Sequence, residues 1–244
     1  MVESLTAFML LLVFCQGRAY RPLPRVWATG RRSTHLSLTE RAAAGDDDGK
    51  SFEQQDLSLW DRLGRPRYVA APMVDQSELP FRLLVRRHGV GLCYTPMIHS
   101  PTFSQPSASI IRRNAYDGGP SLAADRPLIA QLCGNDGATL VAAGRYIEHD
   151  VDAIDLNLGC PQGIARKGSY GAYLLEQDGG RKAVGLVRAM AEGLRCPVTV
   201  KMRRLETAAA TVELARRLED AGAQVVTLHG RTLRQAKTRQ VNTM

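Results

Sequence analysis

From residue 68 to residue 228, six short apolar runs alternate with longer stretches whose apolar residues recur at helical spacing. A strand followed by a helix returns the chain to the end of the sheet where it began. Repeating that unit therefore builds a parallel sheet with helices packed against it. The six predicted strands are 68–72, 91–97, 127–132, 153–158, 198–202 and 224–228. Leu140, Ala143, Gly144 and Ile147 mark the apolar stripe of one helix, and Val184, Val187, Ala191 and Leu194 that of the next. A third helix is predicted from Thr207 as its cap, Leu214, Leu218 and Ala221 along one face, and Gly222 as its stop.

The turn after the first strand, Ala70-Ala71-Pro72-Met73, has no glycine pattern able to cradle a pyrophosphate. This favours a TIM-type (β/α)8 barrel over a doubly wound sheet. About six of the eight βα units of such a barrel are present, and only about a dozen polar, basic residues follow Thr232. The expectation is an incomplete barrel whose first and sixth strands are bare edges, because ring closure is what removes edges.

With 244 residues, 44% hydrophobic and 23% charged, the chain can bury a sizeable core, and its composition argues against disorder. The formal charge is +8, but residues 1–45 carry six arginines against Glu3 and Glu40. The excess left in the body suits a polyanionic partner without requiring one. Cys15, Cys93, Cys133, Cys160 and Cys196 show neither CxxC spacing nor a neighbouring histidine cluster, so no disulfide framework and no metal site are expected.

Residues 1–45 read as a presequence outside the fold. The apolar run 7–15 has signal-peptide length, is too short to span a bilayer, and is followed by small residues around Gly17 and Ala19. Residues 20–39 carry Arg21, Arg25, Arg31 and Arg32 and no acid. That order suits a two-part address to a plastid or mitochondrion, although Glu3 and the lack of early Lys or Arg speak against a standard signal; a cytoplasmic or nuclear protein is the alternative. Residues 46–59 read as a linker, and 60–244 as a partial catalytic barrel with no stable membrane association.

In barrel enzymes the reacting groups sit at the C-terminal ends of the strands. Here those ends carry Pro72 and Met73, then Gln131, then Asn157 and Cys160, then Lys201 and Arg203, then His229 and Arg231. Five such endings on one rim point to a common ligand.

Ala71-Pro72-Met73, Gln131-Leu132-Cys133-Gly134, Asp155-Leu156-Asn157-Leu158-Gly159-Cys160-Pro161, Val200-Lys201-Met202-Arg203 and Leu228-His229-Gly230-Arg231-Thr232 follow in order and spacing. Together they resemble the tRNA-dihydrouridine synthase family over residues 68–232. The segment from Cys160 to Ala165, with Gly168, Tyr170, Gly171, Ala172 and Leu174, is similar to the eukaryotic branch acting on neighbouring D-loop uridines, the 16/17 class. The resemblance implies an FMN- and NADPH-dependent reduction of the C5–C6 double bond of uridine, with tRNA as partner. It implies that Pro72, Met73 and Val74 touch the flavin through backbone groups, and that Gln131, Lys201 and His229 contact FMN. Asn157 is then to orient the ribityl chain or the uracil edge, and Cys160 is the acid that protonates C5.

Elementary chemistry agrees with several of these roles. An ammonium at Lys201 stabilises an anionic reduced flavin. The Gln131 amide both donates and accepts, matching adjacent ring N–H and C=O groups. A thiol of ordinary pKa, roughly 8.5, remains protonated near neutrality and can act as a general acid. Arg166, Lys167 and Tyr170 on the following loop, with Arg203 and Arg231 on the rim, are candidate RNA contacts, phosphate for the cations and stacking for the ring. Cys93, Cys133 and Cys196 read as packing residues, which is also the plain alternative for an isolated Cys160.

Two other functions fit part of the pattern. One is another FMN barrel, of dihydroorotate dehydrogenase or old-yellow-enzyme type. The other is an inactive or RNA-binding fragment. The resembled family holds the flavin phosphate in loops after strands seven and eight and carries a helical RNA-binding domain beyond the barrel. Weak FMN retention is therefore the expectation for these 244 residues alone.

Overall fold

The computed structural model describes residues 57–118, 123–176 and 178–235, together with the backbone of Leu12–Cys15. The elements run β1 (Leu12–Cys15), α1 (Leu59–Arg62), β2 (Val69–Ala70), α2 (Leu79–Arg87), β3 (Leu92–Tyr94), β4 (Ile98–His99), α3 (Ser100–Phe103) and α4 (Ser109–Ala115). They continue with β5 (Leu128–Cys133), α5 (Gly137–Arg145), β6 (Ala153–Leu158), α6 (Gly163–Lys167), α7 (Tyr173–Glu176), α8 (Arg181–Gly193), β7 (Val198–Arg203), α9 (Ala208–Asp220) and β8 (Ala223–His229).

All six predicted strands form, and they pair in parallel in the order β2-β3-β5-β6-β7-β8, with the short β4 also on β5. The sheet is an incomplete barrel. Its free edge at β8, expected to be bare, is covered by β1, which runs antiparallel with Leu12 opposite Leu228 and Cys15 opposite Val225. An open row of backbone N–H and C=O groups is a template for any extended segment, and the apolar run near the N-terminus supplies one. At β2 no further strand pairs among the described residues. The proposed cleavage positions, residues 20–39 and the aspartate run at 46–48 lie outside the described residues. Packed structure does reach into the segment expected to be a linker, since Ser58 caps α1 and Leu59 is buried.

Strand register explains why this sheet has two different faces. Successive side chains on a strand alternate, and paired residues on neighbouring strands share a face. Leu128, Ala130 and Leu132 of β5, Ile154, Leu156 and Leu158 of β6, and Val198, Val200 and Met202 of β7 form one core with Leu140 of α5, Val187 of α8 and Leu214 of α9. On the opposite, concave face Leu92, Tyr94, Ile129, Ala153 and Val225 pack with Leu59 and Leu63 of α1, making an apolar floor at the N-terminal ends of the strands. Above that floor the same face turns polar, with Gln131, Asp155 and Thr199 in one row and Asn157, Lys201 and Thr227 in the next.

Helix boundaries follow local chemistry. Thr207 accepts from the N–H of Ala210 and Asp136 from that of Thr139, each satisfying an otherwise orphaned donor at a helix start. Gly222 stops α9 at φ +110°, a conformation that favours glycine. The stripe on α8 is rotated from the expected one: Ala183, Leu186, Val187 and Met190 are buried, while Val184 and Ala191 sit at the border of the core. Arg82 on α2 is completely buried, paired with Asp125 at 2.7 Å and Asp117 at 2.9 Å. Asp125 also receives Arg86, so an ionic cluster anchors α2 to the segment before β5.

Candidate active site

The polar rows on the concave face form one connected set of hydrogen bonds. Asp155, fully buried, accepts from Gln131 Nε2 at 2.8 Å through one carboxylate oxygen and from Thr199 Oγ1 at 2.7 Å through the other. Gln131 Oε1 accepts from Asn157 Nδ2 at 2.8 Å. Asn157 Oδ1 in turn accepts the backbone N–H groups of Gly159 at 3.0 Å and Cys160 at 2.9 Å. Gln131 is left with one N–H and one oxygen lone pair uncommitted.

Lys201 lies beside Asn157 in register, its side chain partly buried. Its ammonium makes no hydrogen bond or ion pair among the described residues. Burial pulls its pKa down, the Asp155 carboxylate partly offsets this, and Arg203 lowers it further. Burial pushes the Asp155 carboxyl up to about 6 against the bonds from Gln131 and Thr199 and the charge of Lys201. His229, opposite Arg203 in register, is pushed down to about 4 by burial and by Lys201, Arg203 and Arg231, so its ring is neutral at neutral pH. A neutral imidazole offers one donor and one acceptor.

The loop after β6 presents Cys160, partly exposed, next to this polar face. The loop is fixed from several sides. Ala172 N–H donates to the carbonyl of Cys160 at 3.1 Å, Tyr173 Oη donates to that of Pro161 at 3.0 Å, and Arg203 Nε donates to that of Gly159 at 2.7 Å. Gly171 approaches so closely at φ +66° that a Cβ there would lie 2.8 Å from the Cys160 carbonyl oxygen. The position demands glycine on both counts.

Gln131, Asn157, Cys160, Lys201 and His229 are thus gathered at the C-terminal ends of β5, β6, β7 and β8, with Pro72, Met73 and Val74 in the turn after β2. Within that turn, Ser77 takes both backbone groups of Met73: Oγ accepts its N–H at 3.0 Å and donates to its carbonyl at 2.9 Å. Pro72 has no N–H, and the backbone N–H groups of Val74 and Asp75 make no hydrogen bond among the described residues.

Two expected RNA contacts are corrected. The ring of Tyr170 is only 4% exposed, packed with Cys133 and Ala165 and tilted against His99, so no face is open for a base. Arg203 is 6% exposed, and its guanidinium is spent on the carbonyls of Gly159 and Thr232. Both hold the loop together. Arg166 and Lys167 on α6 are exposed as expected, and Arg231 is partly buried on the rim, where its charge acts on His229. A cavity of about 320 Å³ lies beside the rim, lined in part by Leu175, Arg203, Leu205 and Thr232, but it does not include Lys201 or Gln131. Asp155, Thr199 and Ser77 were not anticipated. The signal for Asp155 was an acid inside an apolar strand, two residues before Asn157 and therefore on its face. No group of three or more potential metal-ligating side chains occurs among the described residues, and none of their helices is long and apolar enough to cross a membrane.

The family model for dihydrouridine synthase (Dus) matches residues 69–243, which takes in every strand of the barrel and the whole rim. The chain belongs to the dihydrouridine synthase family. It is 40% identical over 198 residues to the tRNA-dihydrouridine(16/17) synthase [NAD(P)(+)] of Saccharomyces cerevisiae, covering 81% of this chain and 46% of that protein. It is 48% identical over 184 residues to the tRNA-dihydrouridine(16/17) synthase [NAD(P)(+)]-like protein of Rattus norvegicus, covering 74% of this chain and 40% of that protein. Identity to the tRNA-dihydrouridine(20a/20b) synthase [NAD(P)+]-like protein of Mus musculus is 38% over 166 residues, covering 68% of this chain and 50% of that protein. The chain therefore spans less than half the length of the 16/17 relatives it matches.

Proposed function

We propose that this chain carries the catalytic face of a tRNA-dihydrouridine synthase of the 16/17 class, reducing the C5–C6 bond of D-loop uridines with FMN and NAD(P)H. The observation that carries the reading is Lys201: an ammonium sunk beside the polar rows, with no hydrogen-bond partner among the described residues. A desolvated cation without an acceptor is costly unless a ligand supplies one. Gln131 adds one unused donor and one unused acceptor, and Val74 a backbone N–H. This donor set fits the edge of an isoalloxazine ring.

Lys201, Gln131 and the Val74 N–H would hold FMN, which, with NAD(P)H as reductant, would supply the hydride for C6 of the uracil. The Lys201 ammonium would stabilise negative charge developing on a flavin held beside it. Cys160 holds a proton at Sγ and delivers it to C5, so that one hydride and one proton saturate the double bond. Neutral His229 contributes a hydrogen bond without adding a further positive charge. Arg166 and Lys167 contact tRNA phosphates beside the mouth, where a uridine must leave its stack to reach a recessed site.

The test supplies uridine-containing, unmodified tRNA, FMN and NADPH to the full-length protein and quantifies dihydrouridine by mass spectrometry of nucleosides. Formation of dihydrouridine, lost in Cys160→Ala, is the expected result. Turnover of dihydroorotate or an enone without any dihydrouridine would overturn the reading in favour of another flavin-dependent barrel activity.

A further inference from the structure

We propose that Asp155 is a positioning residue whose carboxylate fixes the direction of the Gln131 and Asn157 amides and, through them, the main chain at Cys160. A carboxylate has a narrow hydrogen-bonding repertoire. Ionised, it only accepts hydrogen bonds, so the Gln131 atom 2.8 Å from Oδ2 must be the amide nitrogen. The oxygen of Gln131 is thereby turned toward Asn157 and accepts from its nitrogen at 2.8 Å. The oxygen of Asn157 is left facing the loop, where it accepts the N–H groups of Gly159 and Cys160 at 3.0 and 2.9 Å. Each link has a single polarity: the Asp155 carboxylate, which only accepts, fixes it at the buried end, and the N–H groups of Gly159 and Cys160, which only donate, agree with it at the loop end.

The other side of Asp155 is locked as well. Thr199 Oγ1 occupies its second oxygen at 2.7 Å, and the carboxylate is fully buried above the apolar floor. Burial shields the carboxylate from bulk water as a competing donor, which favours a single sense for the series. Asp155 lies in register between Gln131 of β5 and Thr199 of β7, which fixes these contacts by backbone pairing. Burial of a charge that raises its pKa to about 6 weakens the fold; an apolar residue in its place would not set the amides. The consequence for proton delivery rests on the uridine-reducing function proposed above, whereas the positioning of Cys160 does not.

The test is the alkylation rate of Cys160 by iodoacetamide, mapped peptide by peptide, with buried Cys93 and Cys133 as internal reporters of global opening. Two variants are compared with the native sequence. Asp155→Asn replaces the sole acceptor by a group that also donates, which releases Gln131 from its set direction. Gln131→Met keeps the Asp155 charge but cuts the series in the middle. Loss of about one hydrogen bond's net stabilisation should speed alkylation of Cys160 about fivefold in both variants, with Cys93 and Cys133 unchanged. Acceleration in Asp155→Asn alone would show a charge effect on the thiol and overturn the proposal. So would an unchanged Cys160 rate in Gln131→Met, which decides the matter if Asp155→Asn does not fold, or a uniform rise at all three cysteines. Dihydrouridine formation is measured separately on the native protein. Its absence alongside the expected alkylation pattern would sink the uridine-reducing function and leave the positioning role standing.

Discussion

Arg203 Nε donates to the carbonyl of Gly159 at 2.7 Å, so the last residue of β7 grips the loop immediately before Cys160. The same guanidinium reaches the carbonyl of Thr232 at 3.1 Å and thereby ties together the ends of three consecutive strands. Arg203→Met keeps the aliphatic stem and removes both bonds. It should lower unfolding stability by about 2 kcal/mol, since buried hydrogen bonds from a charged donor are worth more than neutral ones. A urea titration checks this; a midpoint unchanged from the native protein would show that the guanidinium is not a structural clamp.

The acid dependence of stability should contain a component from His229. Its folded pKa, about 4, lies below the ordinary value of 6.5. Between those values the unfolded chain binds the proton and the folded chain does not. Stability from this group is therefore fully present above pH 6.5 and is lost as pH falls toward about 4. Asp155 acts with the opposite sign: its folded pKa of about 6 stands above its ordinary 3.8, so its contribution is full below 3.8 and is lost as pH rises through 6. In His229→Gln the loss of stability on acidification from neutral pH should be smaller than in the native protein. Equal losses, measured by chemical denaturation at both pH values, would refute the assignment.

Exposed Arg166 and Lys167 and buried Tyr170 should separate cleanly in binding experiments. Replacing both cations by alanine should weaken tRNA binding and reduce the slope of log affinity against log salt by about 1 to 2. Tyr170→Phe should leave affinity and slope unchanged. Tyr170→Ala should destabilise the fold by about 3 kcal/mol, as expected for truncating a packed aromatic ring. A large affinity loss in Tyr170→Phe, with the fold intact, would restore a direct RNA role for that side chain.

Arg82 sets a fourth expectation. Its side chain is fully buried against Asp125 and Asp117. Removing one member of such a cluster leaves an uncompensated buried charge, and Arg82→Ala should cost about 3 to 5 kcal/mol. Arg87, the next-but-four residue on the same helix, is exposed, and Arg87→Ala should be close to neutral. Comparable midpoints for the two variants would count against the ionic anchor.

Arg82 and Arg87 differ in burial for a reason that is not local in the chain. Both sit in α2, and nothing in their local pattern tells the buried one from the solvated one. Burial of Arg82 is decided by Asp117 and Asp125, more than thirty positions away. Tyr170 and Arg203 were misread for the same reason: an aromatic ring and a cation near a reactive cysteine are chemically suited to RNA, but packing had already committed both. By contrast the placement of Asn157, Cys160, Lys201 and His229 on one rim was legible, because strand ends in a barrel converge wherever the loops go. The edge partner of β8 was not legible, since backbone pairing is indifferent to most side chains and an apolar run of that length has several possible fates.

The sequence alone determined the repeating βα architecture, the positions of the six strands, and which residues stand at their C-terminal ends. These depend on local periodicity and on alternation along a strand, which a single chain displays directly. Tertiary structure decided which polar groups are already satisfied. Asp155 locks Gln131, Gln131 locks Asn157, and Asn157 holds Cys160, while the Lys201 ammonium has no hydrogen-bond partner among the described residues. Hydrogen-bond capacity is a property of each residue, but its allocation is fixed only when distant strands come into register.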